Sequence, residues 1–222
     1  MPYPGVMNAL HKICQTTGTK TIFITGRTAD ELDRILRPYG LNCEIWGVHG
    51  RERLQPDGTW MTFETEQQTT ELLHQAETLL FMEGLGGLVE LKPFSLAVHW
   101  RSLDLKTQMD ARSATLRAFA FLQTKRNCRV LEFDGGIELL IGTRGKGDAV
   151  RAILKELPPK TPVAYLGDDI TDEDAFRALN DAGLSVLVRS EPRATAASLW
   201  IKPPQELVAF LEKWLDSCRG AA

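Results

Sequence analysis

Ala164-Tyr165-Leu166-Gly167-Asp168-Asp169-Ile170-Thr171-Asp172-Glu173-Asp174-Ala175-Phe176 begins as an apolar run and ends as an acidic one. The apolar part, from Pro162 to Leu166, predicts a buried strand that Gly167 ends. A helix is expected to start near Thr171, a natural N-cap. Asp172, Glu173 and Asp174 would then complement its dipole in the first turn. Asp168 and Asp169 precede that cap and need another explanation. Two like charges side by side at the carboxyl end of a strand repel unless a cation lies between them. Oxygen-only ligands suit a hard ion such as Mg²⁺. The alternative is an acidic surface turn.

Upstream, Gly142-Thr143-Arg144-Gly145-Lys146-Gly147-Asp148-Ala149-Val150 leads into a helix expected over residues 147–156, ended by Pro158-Pro159. A lysine at a helix's start carries the wrong charge for the dipole. With glycines on both sides, that mismatch suggests a position fixed by an anion. Near the amino end, a helix over 6–17 is followed by the β-branched run Thr21-Ile22-Phe23-Ile24, then Thr25-Gly26-Arg27. Thr28 and Glu31 have capping-box spacing, so a helix is expected from 29 to 37. Cys43 to Val48 is the next strand, and strand–helix–strand at this spacing implies a parallel pair. Thr25-Gly26-Arg27 thus lies at the carboxyl end of a strand and ahead of a helix, where open α/β sheets bind anions. An ordinary capped turn with a solvated arginine is the alternative. Gly47-Val48-His49-Gly50 follows the second strand, and Pro56-Asp57-Gly58-Thr59-Trp60 predicts a hairpin turn.

The middle of the chain changes pattern. A helix is expected over 64–83, with Leu72, Leu73, Ala76, Leu79 and Leu80 as its apolar stripe. Past Gly84, residues 88–92 and 95–101 alternate as half-buried antiparallel strands do. A helix over 105–123 follows, and then 129–133 and 137–141 flank the turn Asp134-Gly135-Gly136. This β-β-α-β-β unit predicts a cap domain over 84–142, inserted in a core formed by 1–83 and 143–222. Strand 184–188, a short strand at 198–201 and a helix over 205–216 close the chain.

At 222 residues the chain is long enough for a core domain with an insertion. Net charge is −3, which leaves no basic footprint for nucleic acid. No apolar run approaches the roughly 20 residues of a membrane helix. Met1 to Gly5 lacks the basic and apolar regions of a signal peptide. Cys14, Cys43, Cys128 and Cys218 are dispersed, so reduced thiols in a cytoplasmic protein are expected.

Gly167-Asp168-Asp169-x-Thr171-Asp172-Glu173-Asp174-Ala175-Phe176 resembles the fourth motif of the haloacid dehalogenase-like phosphatases, and its Thr-Asp-Glu-Asp part resembles that of trehalose-6-phosphate phosphatases. Thr25-Gly26-Arg27 is similar to their second motif, usually Ser-Gly-Arg, and Lys146 to their third. Gly47-Val48-His49-Gly50 and Glu90 to Arg101 are similar to further segments of those enzymes. The resemblance implies a Rossmann-like α/β core with an inserted α+β cap. It also implies a Mg²⁺-dependent phosphomonoesterase acting on a small sugar phosphate; the composition argues against nucleic acid and membrane as partners, and a monomer is a candidate state. On that resemblance Thr25 and Lys146 hold the phosphoryl group, Gly26, Arg27 and His49 line the cleft, and Glu90, Lys92 and Glu138 bind sugar hydroxyls as the cap closes. Asp168, Asp169 and Asp172 belong to the metal site, with Asp169 a candidate to orient Lys146. A structural histidine at 49 and a solvated charged face at 90, 92 and 138 are the plain alternatives. The family substrate is trehalose 6-phosphate, and sucrose phosphate or mannosyl phosphoglycerate are the near alternatives.

One part of the pattern is missing. These phosphatases attack phosphate with the first aspartate of Asp-x-Asp-x-Thr, placed after the first, central strand, while the second acts as general acid and base. The single Asp-x-Asp here is Asp172-Glu173-Asp174, on an expected helix. The family pattern would place the missing strand just ahead of Met1. An amino-terminally shortened enzyme, a sugar-phosphate-binding protein without catalysis, and a substitute carboxylate are the three readings. The first two predict either a gap between the strands ending at Thr25 and Gly167 or the closing of those strands together. They also predict low stability, because a free central edge is costly.

Overall fold

The Thr28 hydroxyl accepts the Glu31 amide at 3.3 Å, and the Glu31 carboxylate accepts the Thr28 amide at 3.1 Å, so the expected capping box forms. A computed structural model of the protein describes residues 3–16, 18–63, 67–92, 94–125, 128–142 and 144–219. The chain divides into two compact units, Met1–Phe63 with Arg144–Ala222, and Glu64–Thr143.

The first unit starts with α1 (Val6–Thr16), β1 (Ile22–Ile24), α2 (Ala29–Leu36), β2 (Glu44–Gly47), β3 (Glu52–Leu54) and β4 (Trp60–Thr62). The second holds α3 (Gln67–Met82), β5 (Val89–Lys92), β6 (Ser95–His99), α4 (Leu105–Gln123), β7 (Cys128–Phe133) and β8 (Gly136–Ile141). The chain then re-enters the first unit as α5 (Lys146–Glu156), β9 (Ala164–Gly167), α6 (Glu173–Leu179), β10 (Leu184–Val188), β11 (Leu199–Ile201) and α7 (Gln205–Arg219). Residues 64–66 of the helix expected from 64 lie outside the described residues.

In the first unit β1 and β2 are parallel, and β3 and β4 continue that piece as antiparallel strands. A second piece, β11-β10-β9, is parallel throughout. Among the described residues β1 pairs with β2 alone and β9 with β10 alone, so the two strands have not closed together. Helices cover both pieces. Leu10 of α1 packs with Val186, Ile201 and Leu211 on one side and with Phe23 and Ile45 on the other. On the opposite face Ile24 of β1 and Tyr165 of β9 share a cluster with Val150 of α5 and Ala175 and Leu179 of α6. Both Arg53 terminal nitrogens bond the Glu156 carboxylate, at 2.7 and 2.6 Å, fastening β3 to the end of α5. β1 and β9 are half-buried along their length, while β2 is buried throughout.

The second unit is one antiparallel sheet, ordered β5-β6-β8-β7. One face, with Leu96, Val98, Ile137, Leu139 and Ile141, packs on Leu73, Ala76 and Leu80 of α3 and on Ala118, Phe119 and Leu122 of α4. That packing assigns α3 to this unit, which begins at Glu64 and not at residue 84 as the change of pattern suggested. The apolar stripe of α3 has the right period but carries no mark of which sheet it covers. Among the described residues no helix is long and apolar enough to cross a membrane.

Candidate active site

Asp172 is the centre of the acidic motif and is 2% exposed. Its Oδ1 accepts the Lys146 amine at 2.8 Å and the Tyr165 hydroxyl at 2.6 Å. Its Oδ2 accepts the backbone amides of Asp168 and Asp169, at 3.0 and 2.9 Å. Gly167 makes room for this arrangement, since a Cβ there would lie 2.5 Å from Asp172 Cγ. Burial works to raise the Asp172 carboxyl, but the Lys146 charge and these donors hold it below its ordinary value. Buried Lys146 opens α5, and Asp172 supplies the negative charge that fixes its position.

The motif's other acids have different tasks. The carboxylate of Asp169, and not the hydroxyl of Thr171, caps the turn: it accepts the Ile170 amide at 2.7 Å and the Thr171 hydroxyl at 3.3 Å. A short 3₁₀ turn, Ile170–Asp172, precedes α6, because Asp169 enters as the cap before Thr171 can. Glu173 holds the following loop, accepting from Thr195 at 2.8 Å and the Ala196 amide at 2.7 Å and pairing with Arg193. Asp169 was a candidate to orient Lys146, yet it is Asp172 that bonds the amine. Asp168 stays exposed, and desolvation and the charge of Asp172 raise its carboxyl. A hard cation would relieve that repulsion, so Asp168 fits Mg²⁺. Asp172 already accepts four internal bonds, whereas each Asp169 oxygen accepts one and keeps acceptor capacity, and among the described residues no group of three His, Cys, Asp or Glu gathers as a metal site.

The strand end at Thr25 is built by a second loop. Thr25 Oγ1 accepts the Arg27 amide at 3.1 Å, which leaves its own O–H to donate. The Thr25 carbonyl accepts the His49 amide at 2.8 Å, and the Arg27 carbonyl accepts the Val48 amide at 2.8 Å. Val48 and His49 have φ of 47° and 57°, a left-handed conformation rare for a β-branched residue. The two amide bonds hold that strained turn in place. His49 is buried, and its ring lies so close to Gly26 that a Cβ there would sit 2.9 Å away. Arg27 points to solvent. The same turn meets the segment ahead of α5, where the Gly50 carbonyl accepts Arg144 Nε at 2.7 Å, and α5 itself, where a Cβ on Gly50 would lie 3.0 Å from Ala149 Cβ. Thr25, Gly26 and His49 thus stand at the carboxyl ends of β1 and β2, and Lys146 and Asp168 meet through Asp172 at that of β9, with the Arg144–Gly50 bond linking the two loops.

In the second unit, Glu90, Lys92 and Glu138 share the sheet face opposite its core. The Lys92 amine lies 3.6 Å from Glu90 and 3.4 Å from Glu138, and Ser95 donates to Glu138 at 2.7 Å. His99, not among the expected sugar-binding residues, bonds Glu90 at 2.7 Å. Strand alternation puts residues 95 and 99 on the same face as 97, beside Glu90 and Glu138, so the pairing was within reach of the pattern.

Residues 1–202 match the trehalose-phosphatase family. The chain belongs to that family. It is 33% identical over 227 residues to a trehalose-phosphate phosphatase of Mycobacterium ulcerans, covering 94% of this chain and 54% of the relative. It is 30% identical to the Mycobacterium bovis protein of the same name, covering 98% and 56% respectively. The chain thus spans about half the length of these curated relatives. Among solved structures, the trehalose-6-phosphate phosphatase C-terminal domain of C. albicans superposes with a TM-score of 0.79 at 19% identity, over 97% of this chain and 84% of that one. The C-terminal domain of the Candida albicans trehalose synthase regulatory protein gives 0.72 at 14% identity, over 93% and 85%. At such identities the likeness is one of fold.

Proposed function

We propose that this chain is the phosphoryl-binding part of a trehalose-6-phosphate phosphatase, which hydrolyses that ester to trehalose and inorganic phosphate. The observation that carries the reading is the Asp172 carboxylate, which bonds the Lys146 amine on one oxygen and the amides of Asp168 and Asp169 on the other. Lysine has three N–H donors and Asp172 takes one, so the others are free to donate to phosphoryl oxygens. The Thr25 hydroxyl donates to the same group, and Arg27 draws the anion in from solvent. Burial with its partner keeps the Lys146 charge fixed, so no reorganisation accompanies charge development in the transition state. Asp168 would hold Mg²⁺, which supplies charge neutralisation to the phosphoryl oxygens when bound. Glu90, Lys92 and Glu138, with His99, supply hydrogen bonds for sugar hydroxyls.

On this reading the nucleophile and the general acid belong to an Asp-x-Asp strand that the 222 residues do not contain. The free edges of β1 and β9 support a further parallel strand between them, with Asp-x-Asp at its carboxyl end. Free Asp-x-Asp oxygens there, beside Asp168, would complete the metal ligands. We further take the protein as a cytoplasmic monomer.

A second reading, a sugar-phosphate-binding module without catalysis, is favoured by the lack of Asp-x-Asp after any strand of this sequence. Phosphate release from trehalose 6-phosphate with Mg²⁺, measured on this chain and on one extended by an Asp-x-Asp strand, separates the two. Turnover by the extended chain alone is the expected result. Binding without turnover by both chains supports the module. Faster release from sucrose phosphate or mannosyl phosphoglycerate would move the substrate within the same class.

A further inference from the structure

Cys14 on α1 and Cys43 ahead of β2 are 29 residues apart in the chain, yet their sulfurs lie 4.0 Å from each other. Cys14 is half-buried and Cys43 is buried, so one thiol of the pair meets solvent and the other backs it. Cys14 Sγ also lies 3.1 Å from Thr21 Oγ1, just ahead of β1. We propose that Cys14 and Cys43 form a redox-responsive dithiol, which a low-molecular-weight disulfide such as oxidised glutathione converts to an intramolecular disulfide.

A disulfide requires the sulfurs to close from 4.0 Å to about 2 Å. One proton shared between the thiols decides which attacks. The hydrogen bond from Cys43 lowers the Cys14 thiol to about 6; burial opposes this, and Thr21 and the charge of His11 add to it. The same bond and burial raise Cys43. Cys14 is therefore the attacking thiolate.

Its sulfur bonds one sulfur of the small disulfide, whose S–S bond breaks and releases a thiolate. Cys43 then gives its proton to solvent and attacks Cys14 Sγ, displacing the second small thiolate. The protein loses two electrons and two protons, and the disulfide is reduced to two thiols. The new bond ties α1 to the start of β2. Because Leu10 on the same helix packs on both pieces of the first unit's sheet, the oxidised form holds that helix across them.

The test uses the whole chain. Iodoacetamide labelling followed by peptide mass spectrometry should give Cys14 a half-maximal rate near pH 6. Oxidised glutathione should then yield a linked Cys14–Cys43 peptide, lighter by two hydrogen atoms. Cys43→Ser should instead trap glutathione on Cys14. Should that variant fold poorly, the wild-type link still decides the matter. An ordinary Cys14 labelling profile, or glutathione accumulating on wild-type Cys14 without the link, would overturn the proposal.

Discussion

In the second unit every residue of β8 is buried between β6 and β7, whereas in the first unit β1 and β9 are half-buried along their whole length. The second unit closes one continuous sheet over one apolar cluster. The first divides its apolar residues among three clusters and its strands between two pieces, and the proposed phosphate site stands where those pieces meet. Parallel strands are normally covered on both faces and paired on both edges. The lesson is that the helices of the first unit and the loops at its strand ends are in place although, among the described residues, β1 and β9 do not pair with each other. The residues proposed to grip the phosphoryl group are positioned by α5 and by the turn at 47–50, which are formed without a strand between β1 and β9 among the described residues.

The contrast can be broken most forcefully at Asp172. Asp172→Ala leaves the Lys146 charge buried without its partner and should cost about 3–5 kcal/mol in urea unfolding followed by tryptophan fluorescence. Four of the five tryptophans belong to the first unit, so the signal should move while the second unit's transition holds. The same pair sets an acid limb. A folded carboxyl held below its ordinary 3.8 contributes stability that is full above that pH and is lost as the pH falls through the depressed folded value. An unchanged midpoint in Asp172→Ala would mean that this centre is dispensable to the first unit.

A pair of core substitutions sharpens the comparison. Leu139→Ala in the closed sheet should cost about 2–5 kcal/mol by chemical denaturation, the range for a fully buried leucine. Ile24→Ala in half-buried β1 should cost about half as much, because part of its side chain already faces solvent. Equal costs would argue that β1 is as well packed as β8. The smallest effect is expected from helix caps. Thr28→Ala in the first unit and Asp104→Ala in the second each remove one capping side chain, and each should cost about 1 kcal/mol. A matched pair would trace the difference between the units to their sheets and not to their helix ends.

Much of this was legible in the sequence because it depends on near neighbours. The Thr28–Glu31 box, the turn at Asp134-Gly135-Gly136 and the strands ending at Thr25 and Gly167 follow from residues a few positions apart. From the family's strand order either a gap between β1 and β9 or their closing together was expected, and among the described residues the two do not pair. What the sequence concealed lies in pairings across long separations. Asp172 looks like a first-turn acid until Lys146, 26 residues before it, is folded against it. Cys14 and Cys43 look dispersed until α1 is laid beside β2. The boundary of the second unit was missed because the stripe on α3 fits either sheet. The left-handed turn at Val48 and His49 left a fainter sign, the glycines at 47 and 50 that flank it.

Amide hydrogen exchange, read residue by residue in this chain and in one extended by an Asp-x-Asp strand, reaches the central claim most directly. The Thr25 amide is bonded to Trp46, so by alternation the Ile22 and Ile24 amides turn away from β2. They should exchange well before those of β8 in this chain and become protected in the extended one. Protection equal to β8 without any added strand would contradict the account, since the edges that a nucleophile-bearing strand is proposed to fill would already be closed.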